Sequence, residues 1–227
     1  MASNLTLDPS QPLSTSELVL LNGDKFAKKV MMGNTQLMHN EGSVSVSQLG
    51  QAIFVTAILA LESTGNLQLE VRQEKALFGL RKVTNLYANP TPRPIEWPDY
   101  CLESQLLQIA DRLMKKDGSN QVTNMIYAWL RADSGSPWQA TIEMVKSGMA
   151  QRELLEAYEE KKLKILTLTR YALPDSTKLL ANQLPIQPIQ QLYSICESNR
   201  KDIWDLLVKQ IKKAIKDRTE QNDADFD

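Results

Sequence analysis

The apolar positions of this chain recur with two different periods, and the change from one to the other marks its organising stretch. In Gln48 to Val83, Leu49, Ile53, Ala57 and Leu61 return every four residues, with Phe54 and Ile58 beside them. Most of that circumference is apolar, which predicts a helix wrapped on several sides. After Thr64-Gly65-Asn66 the period drops to two, and Leu67, Leu69 and Val71 alternate with Gln68 and Glu70 as in a half-buried strand. A central helix feeding a small wing is the expected nucleus.

The other runs are arranged around it. Ser14 and Glu17 have capping-box spacing ahead of Leu18, Val19, Leu20 and Leu21, and Asn22-Gly23-Asp24 ends that short helix. Lys25 to Gly42 keeps no period and is expected to be irregular or a weakly formed turn of helix. Ser45 and Gln48 repeat the capping spacing and open the central helix. After the wing, Asn89-Pro90-Thr91-Pro92-Arg93-Pro94 predicts a stiff connector. Helices follow on Leu102, Leu106, Ile109, Ala110 and Leu113, then on Val122, Ile126, Trp129 and Leu130. Pro137 opens the next helix, which Gly148 is expected to break. Residues 151–162 are expected to resume as a helix with Leu154, Leu155 and Tyr158 inside, and 163–173 (LKILTLTRYAL) to form a strand able to join the wing. Prolines 174, 185 and 188 predict a linker to the last helices. On 202–218, Trp204, Leu207, Val208, Ile211 and Ile215 share one arc while Lys209, Lys212, Lys213 and Lys216 share a flank. The fold class is mainly α: a single globular helical domain over 13–218 with a small β-hairpin or wing, a flexible arm at 1–12 and a disordered acidic tail at 219–227.

Composition narrows the function more than the fold. The 227 residues, 42% of them hydrophobic, are enough for one sizeable core. A formal net charge of −1 gives no overall reason to expect nucleic acid, so a charge-driven partner must use a local patch. Cys101 and Cys196 make neither a disulfide framework nor a metal cluster. No basic segment followed by an apolar run opens the chain, and Ala52–Leu61 is too short to span a bilayer, so the protein is expected to be soluble or attached to a membrane surface. His39 is the single histidine, and the chain has no G-x-S-x-G elbow, phosphate-binding glycine loop, H-E-x-x-H or C-x-x-C. Neither an enzyme nor a cofactor is expected. The four tryptophans include Trp129 and Trp204 on apolar stripes, which reads as core.

Two basic patches carry the remaining chemistry. Lys146 and Arg152 flank the expected break at Gly148, where a helix N-terminus would present free amides and partial positive charge to a phosphate. The flank of Lys209, Lys212, Lys213 and Lys216 suits an anionic membrane surface, each charge there contributing about 1 kcal/mol.

Several separate segments in a common order resemble the Golgi phosphoprotein 3 family: LSTSELVLL at 13–21, GNLQLE at 65–70, RKV at 81–83, the helix after Asp99, SGSPWQ at 134–139 and LLEAYEEKKL before the strand. The resemblance spans about Leu13 to Pro174. It implies a mostly helical peripheral membrane protein on the cytosolic face, at the Golgi in a eukaryote, that binds phosphatidylinositol 4-phosphate and holds protein clients. It also implies self-association through a projecting hairpin, here within 163–173. The family's lipid site has a tryptophan where this chain has about Ser45 and an arginine where it has about Phe54, which leaves Lys146 and Arg152 nearest the expected headgroup position. The alternative expectation is a soluble protein-interaction module of the same fold without lipid binding.

Overall fold

The computed structural model describes residues 7–39, 41–76, 81–92, 94–131, 136–162 and 166–224. Its centre is α2 (Val46–Ser63), in which every residue from Ala52 to Leu61 is buried. By length and composition α2 meets the requirements of a membrane span, but its burial makes it the core helix of the domain. Ser45 caps it, the hydroxyl accepting from the Gln48 amide at 3.4 Å, and Gly65, at φ +75°, turns the chain into the wing.

Around α2 lie α1 (Thr15–Leu21), α3 (Leu102–Asp117), α4 (Val122–Trp129), α5 (Pro137–Gln151), α7 (Gln187–Asn199) and α8 (Lys201–Ala224), and the mostly exposed α6 (Asp175–Gln183) precedes α7. The chain is mostly helical, with eight helices and three two-stranded antiparallel hairpins among the described residues. The expected wing is β3 (Leu67–Ala76) paired with β4 (Arg81–Pro90), Leu69 opposite Ala88. Leu67 and Leu69 are buried and Val71 is not, so the alternation fades toward the outer end. β4 runs two residues into the proline-dense segment, Asn89 and Pro90.

Four expectations are corrected. Residues 25–42, expected to be irregular or a weak turn of helix, also hold a strand: after a 3-10 turn (Gly23–Lys25), β1 (Asn34–Gln36) pairs with β2 (Ser43–Ser45). Residues 156–162 form a strand rather than a helix, β5 (Glu156–Lys162), paired with β6 (Leu166–Ala172). Tyr158, expected inside, is 53% exposed; the Glu-Glu-Lys-Lys run has the polarity of a solvated helix face, and a solvated hairpin has the same polarity. β6 therefore joins β5 and not the wing. Finally, α8 continues to Ala224, past the expected start of a disordered tail, while 225–227 lie outside the described residues. Of the arm at 1–12, only 7–12 are described. The segment with prolines 174, 185 and 188 holds α6 and the start of α7, with Pro188 in the first turn of α7, where a missing amide costs nothing.

Candidate functional site

Gly148 does not break α5. A Cβ at that position would stand 2.2 Å from the Tyr100 carbonyl oxygen, so the glycine admits a close backbone approach from the loop before α3. With α5 continuous, no helix N-terminus lies between Lys146 and Arg152, and the free amides expected there are absent. The two cations also serve different neighbours. Lys146 Nζ is 3.0 Å from Glu143 Oε1 one turn back. It borders a polar cleft of about 640 Å³ that also holds Glu160 and Arg170, themselves an ion pair at 2.7 Å.

Arg152 caps the end of α5 and pairs with Glu17 on α1, while its Nη1 donates to the Pro12 carbonyl at 2.9 Å. Glu17 is fully buried, and its carboxylate also accepts from the Ser14 amide at 2.8 Å, the capping contact expected from the sequence. Beside it Glu103, also fully buried, accepts from the Thr15 hydroxyl at 2.6 Å and from the Ser16 amide and hydroxyl, both at 2.8 Å. Burial raises the Glu17 carboxyl above its ordinary value, and the Arg152 charge pulls it back. Arg152 thus fastens α1 to α5.

The positions the resemblance singled out on α2 are structural as well. Phe54 is fully buried and meets Trp129 edge-on, with centroids 5.4 Å apart and ring planes at 87°. Trp129 is core, as expected, and Trp204 is half-buried against Tyr193.

The α8 lysines have a different setting. Leu207, Ile211, Ala214 and Ile215 seat α8 on the core, and Lys209, Lys212, Lys213 and Lys216 stand in solvent. Lys213 pairs with Asp217 at 2.9 Å and Lys216 with Glu220 at 3.2 Å, the partner one turn along in each case. Among the described residues no ion pair includes Lys209 or Lys212.

Lys212, Lys216 and Glu220, the partner of Lys216, border a groove of about 680 Å³ between α8 and the starts of α2 and α5, with Ser47, Gln48, Gln51 and Trp138 on the other side. The first turn of α2 carries no acidic residue. Trp138 lies against Gly50, where a Cβ would be 2.8 Å from the indole, so the glycine makes room for the ring. The strip after Ala27 adjoins the same place: the Gln48 side chain accepts from the Lys28 amide at 2.8 Å, and the Lys28 carbonyl accepts from the Ser45 amide at 2.9 Å. Lys28 and Lys29 are exposed, and no ion pair among the described residues includes them.

Chemically this is a set of exposed point charges beside an aromatic wall and a helix start, suited to holding an anion. Both thiols, Cys101 and Cys196, are buried, and burial pushes each up, away from a reactive thiolate. Sequence analysis missed Trp138, Lys28 and Lys29 as parts of one face. The Lys28-Lys29 pair is visible in the sequence, but its proximity to α2 depends on the β1–β2 pairing, which has no periodic signal. Comparison of the chain with protein-family models, with curated proteins and with solved structures gives no match.

Proposed function

We propose that the protein is a peripheral membrane protein that binds anionic lipid headgroups on the cytosolic face, in the manner of the Golgi phosphoprotein 3 family that its sequence resembles. The observations that carry this are two exposed lysine pairs with no ion pair among the described residues, Lys209 and Lys212 on the flank of α8 and Lys28 and Lys29 before β1, with Lys212 and the Lys28 backbone both at the start of α2. At about 1 kcal/mol for each charge near an anionic leaflet, four supply about 4 kcal/mol, enough for reversible, salt-sensitive attachment. Lys146 and Arg152 are left out of this surface because each is neutralised by a carboxylate. The groove beside Trp138 is the place for a headgroup phosphate, which Lys212 would meet as a point charge, Lys216 there being paired with Glu220.

Flotation with vesicles of phosphatidylcholine alone, with added phosphatidylserine, and with added phosphatidylinositol 4-phosphate tests the proposal. Binding to both anionic mixtures assigns a general electrostatic surface, and binding that needs the phosphoinositide assigns a headgroup site.

The hairpin supports a second function, self-association or capture of a protein client. Among the described residues β5 and β6 pair only with each other, so their outer edges offer backbone groups to another strand. Of the segment 163–173 expected to carry this, 163–165 lie outside the described residues.

A further inference from the structure

Beside the lysine surface stand two side chains that a water-facing surface does not need. Met31 and Met32 are 97% and 89% exposed, adjacent in sequence and directly after Lys28, Lys29 and Val30. The other exposed large apolar residues, such as Ile95, Met114 and Leu179, are scattered singly, which is ordinary for a protein surface.

The backbone beneath the two methionines is held. The Asn34 side-chain amide donates to the Met31 carbonyl at 3.2 Å and the Val30 carbonyl at 3.4 Å. Gly33, at φ +63°, turns the chain, and its carbonyl accepts from the Val46 amide at 3.0 Å, satisfying a donor at the start of α2. The tip is therefore anchored to the same helix start that borders the lysine groove.

We propose that Met31 and Met32 form a membrane-inserting tip, entering the headgroup and upper acyl region of an anionic bilayer while Lys28 and Lys29 remain at its surface. Charge complementarity selects this occupant: an exposed pair of flexible thioethers next to two cations with no ion pair among the described residues matches an apolar layer lying under an anionic one. The inference rests on the membrane-binding proposal above and adds how the protein enters the bilayer.

The test uses the full chain with Met32→Cys labelled with bimane; Cys101 and Cys196 are buried and leave the introduced thiol as the reactive one. On phosphatidylcholine/phosphatidylserine vesicles the emission is expected to shift to the blue and to be quenched by lipids carrying an acyl-chain nitroxide. Met31→Ser/Met32→Ser is expected to keep the fold and to weaken vesicle affinity by about tenfold, from the apolar area left in water. A labelled protein that floats with the vesicles while its emission stays aqueous overturns insertion and leaves the lysine surface standing. Failure to float at all overturns both. A blue shift that grows with protein concentration in the absence of vesicles assigns the tip to a contact between copies, and overturns insertion.

Discussion

Replacing Arg152 with methionine, which keeps most of the volume and removes the charge, isolates the buried pair that fastens α1. In the native protein Glu17 and Glu103 are both fully buried, and Arg152 supplies the positive charge paired with Glu17. Glu103 keeps its three hydrogen bonds from Thr15 and Ser16 in the variant, but Glu17 is left with the Ser14 amide. An uncompensated buried carboxylate costs about 3–5 kcal/mol, unless it escapes by taking a proton. From an ordinary value of 4.5, holding Glu17 neutral at pH 7 costs about 3.4 kcal/mol, and at pH 5 about 0.7, at about 1.36 kcal/mol per pH unit.

Because burial raises the folded-state value of Glu17, its contribution to stability is fully present below the unfolded value and lost as pH rises through the folded one. Without Arg152 the folded value rises further, and that loss extends toward neutral pH. Urea unfolding followed by tryptophan fluorescence should therefore show Arg152→Met destabilised by about 3 kcal/mol at pH 7 and about 1 kcal/mol at pH 5. Glu17→Gln/Arg152→Met should recover much of the difference at pH 7. A loss below 1 kcal/mol, or one equal at both pH values, refutes the assignment of Arg152 as a buried structural cation.

Two further substitutions test the packing around the site. Gly148→Ala forces a methyl group against the Tyr100 carbonyl within α5 and should cost about 1–3 kcal/mol despite the better helix propensity of alanine; a gain in stability would show that the backbones can separate freely. Phe54→Ala removes a fully buried ring stacked edge-on with Trp129 and should cost about 3–5 kcal/mol in thermal unfolding, accompanied by altered near-ultraviolet dichroism from Trp129; a near-neutral change would remove Phe54 from the core.

The parts of the fold that could be read in the sequence are those governed by burial. α2 announces itself because it is apolar on nearly every side, and α8 because one arc of it is. The first strand of the wing shows where Leu67 and Leu69 alternate with polar residues, and α1 shows through a capping box whose glutamate is indeed bonded back to the Ser14 amide. Exposed elements were not legible. β5 carries Glu-Ala-Tyr-Glu-Glu-Lys-Lys with no buried face to set a period of two, so nothing in its pattern separates a hairpin from a solvated helix. Gly148 is ambiguous for a related reason: a glycine that admits a neighbouring backbone and one that ends a helix look alike until the neighbour is placed.

The site divides in the same way. The α8 lysine flank follows from helical periodicity alone. Which lysines keep a free charge depends on acidic partners one turn away, Asp217 for Lys213 and Glu220 for Lys216, and this too can be counted from the sequence. The neutralisation of Arg152 cannot, because its partner Glu17 lies on α1, 135 residues away in the sequence. The union of Lys28 and Lys29 with Lys212 requires the short β1–β2 pairing and the contact with Gln48.

The most direct test of the central claim is flotation of the wild type beside Lys209→Gln/Lys212→Gln on phosphatidylcholine/phosphatidylserine vesicles at low salt, with thermal unfolding measured on both. Removing two charges worth about 1 kcal/mol each should weaken vesicle affinity by roughly 30-fold and leave the unfolding temperature unchanged, since neither lysine has a carboxylate partner among the described residues. Equal flotation of the two proteins, or none by either, would contradict an anionic membrane surface as the target of this face.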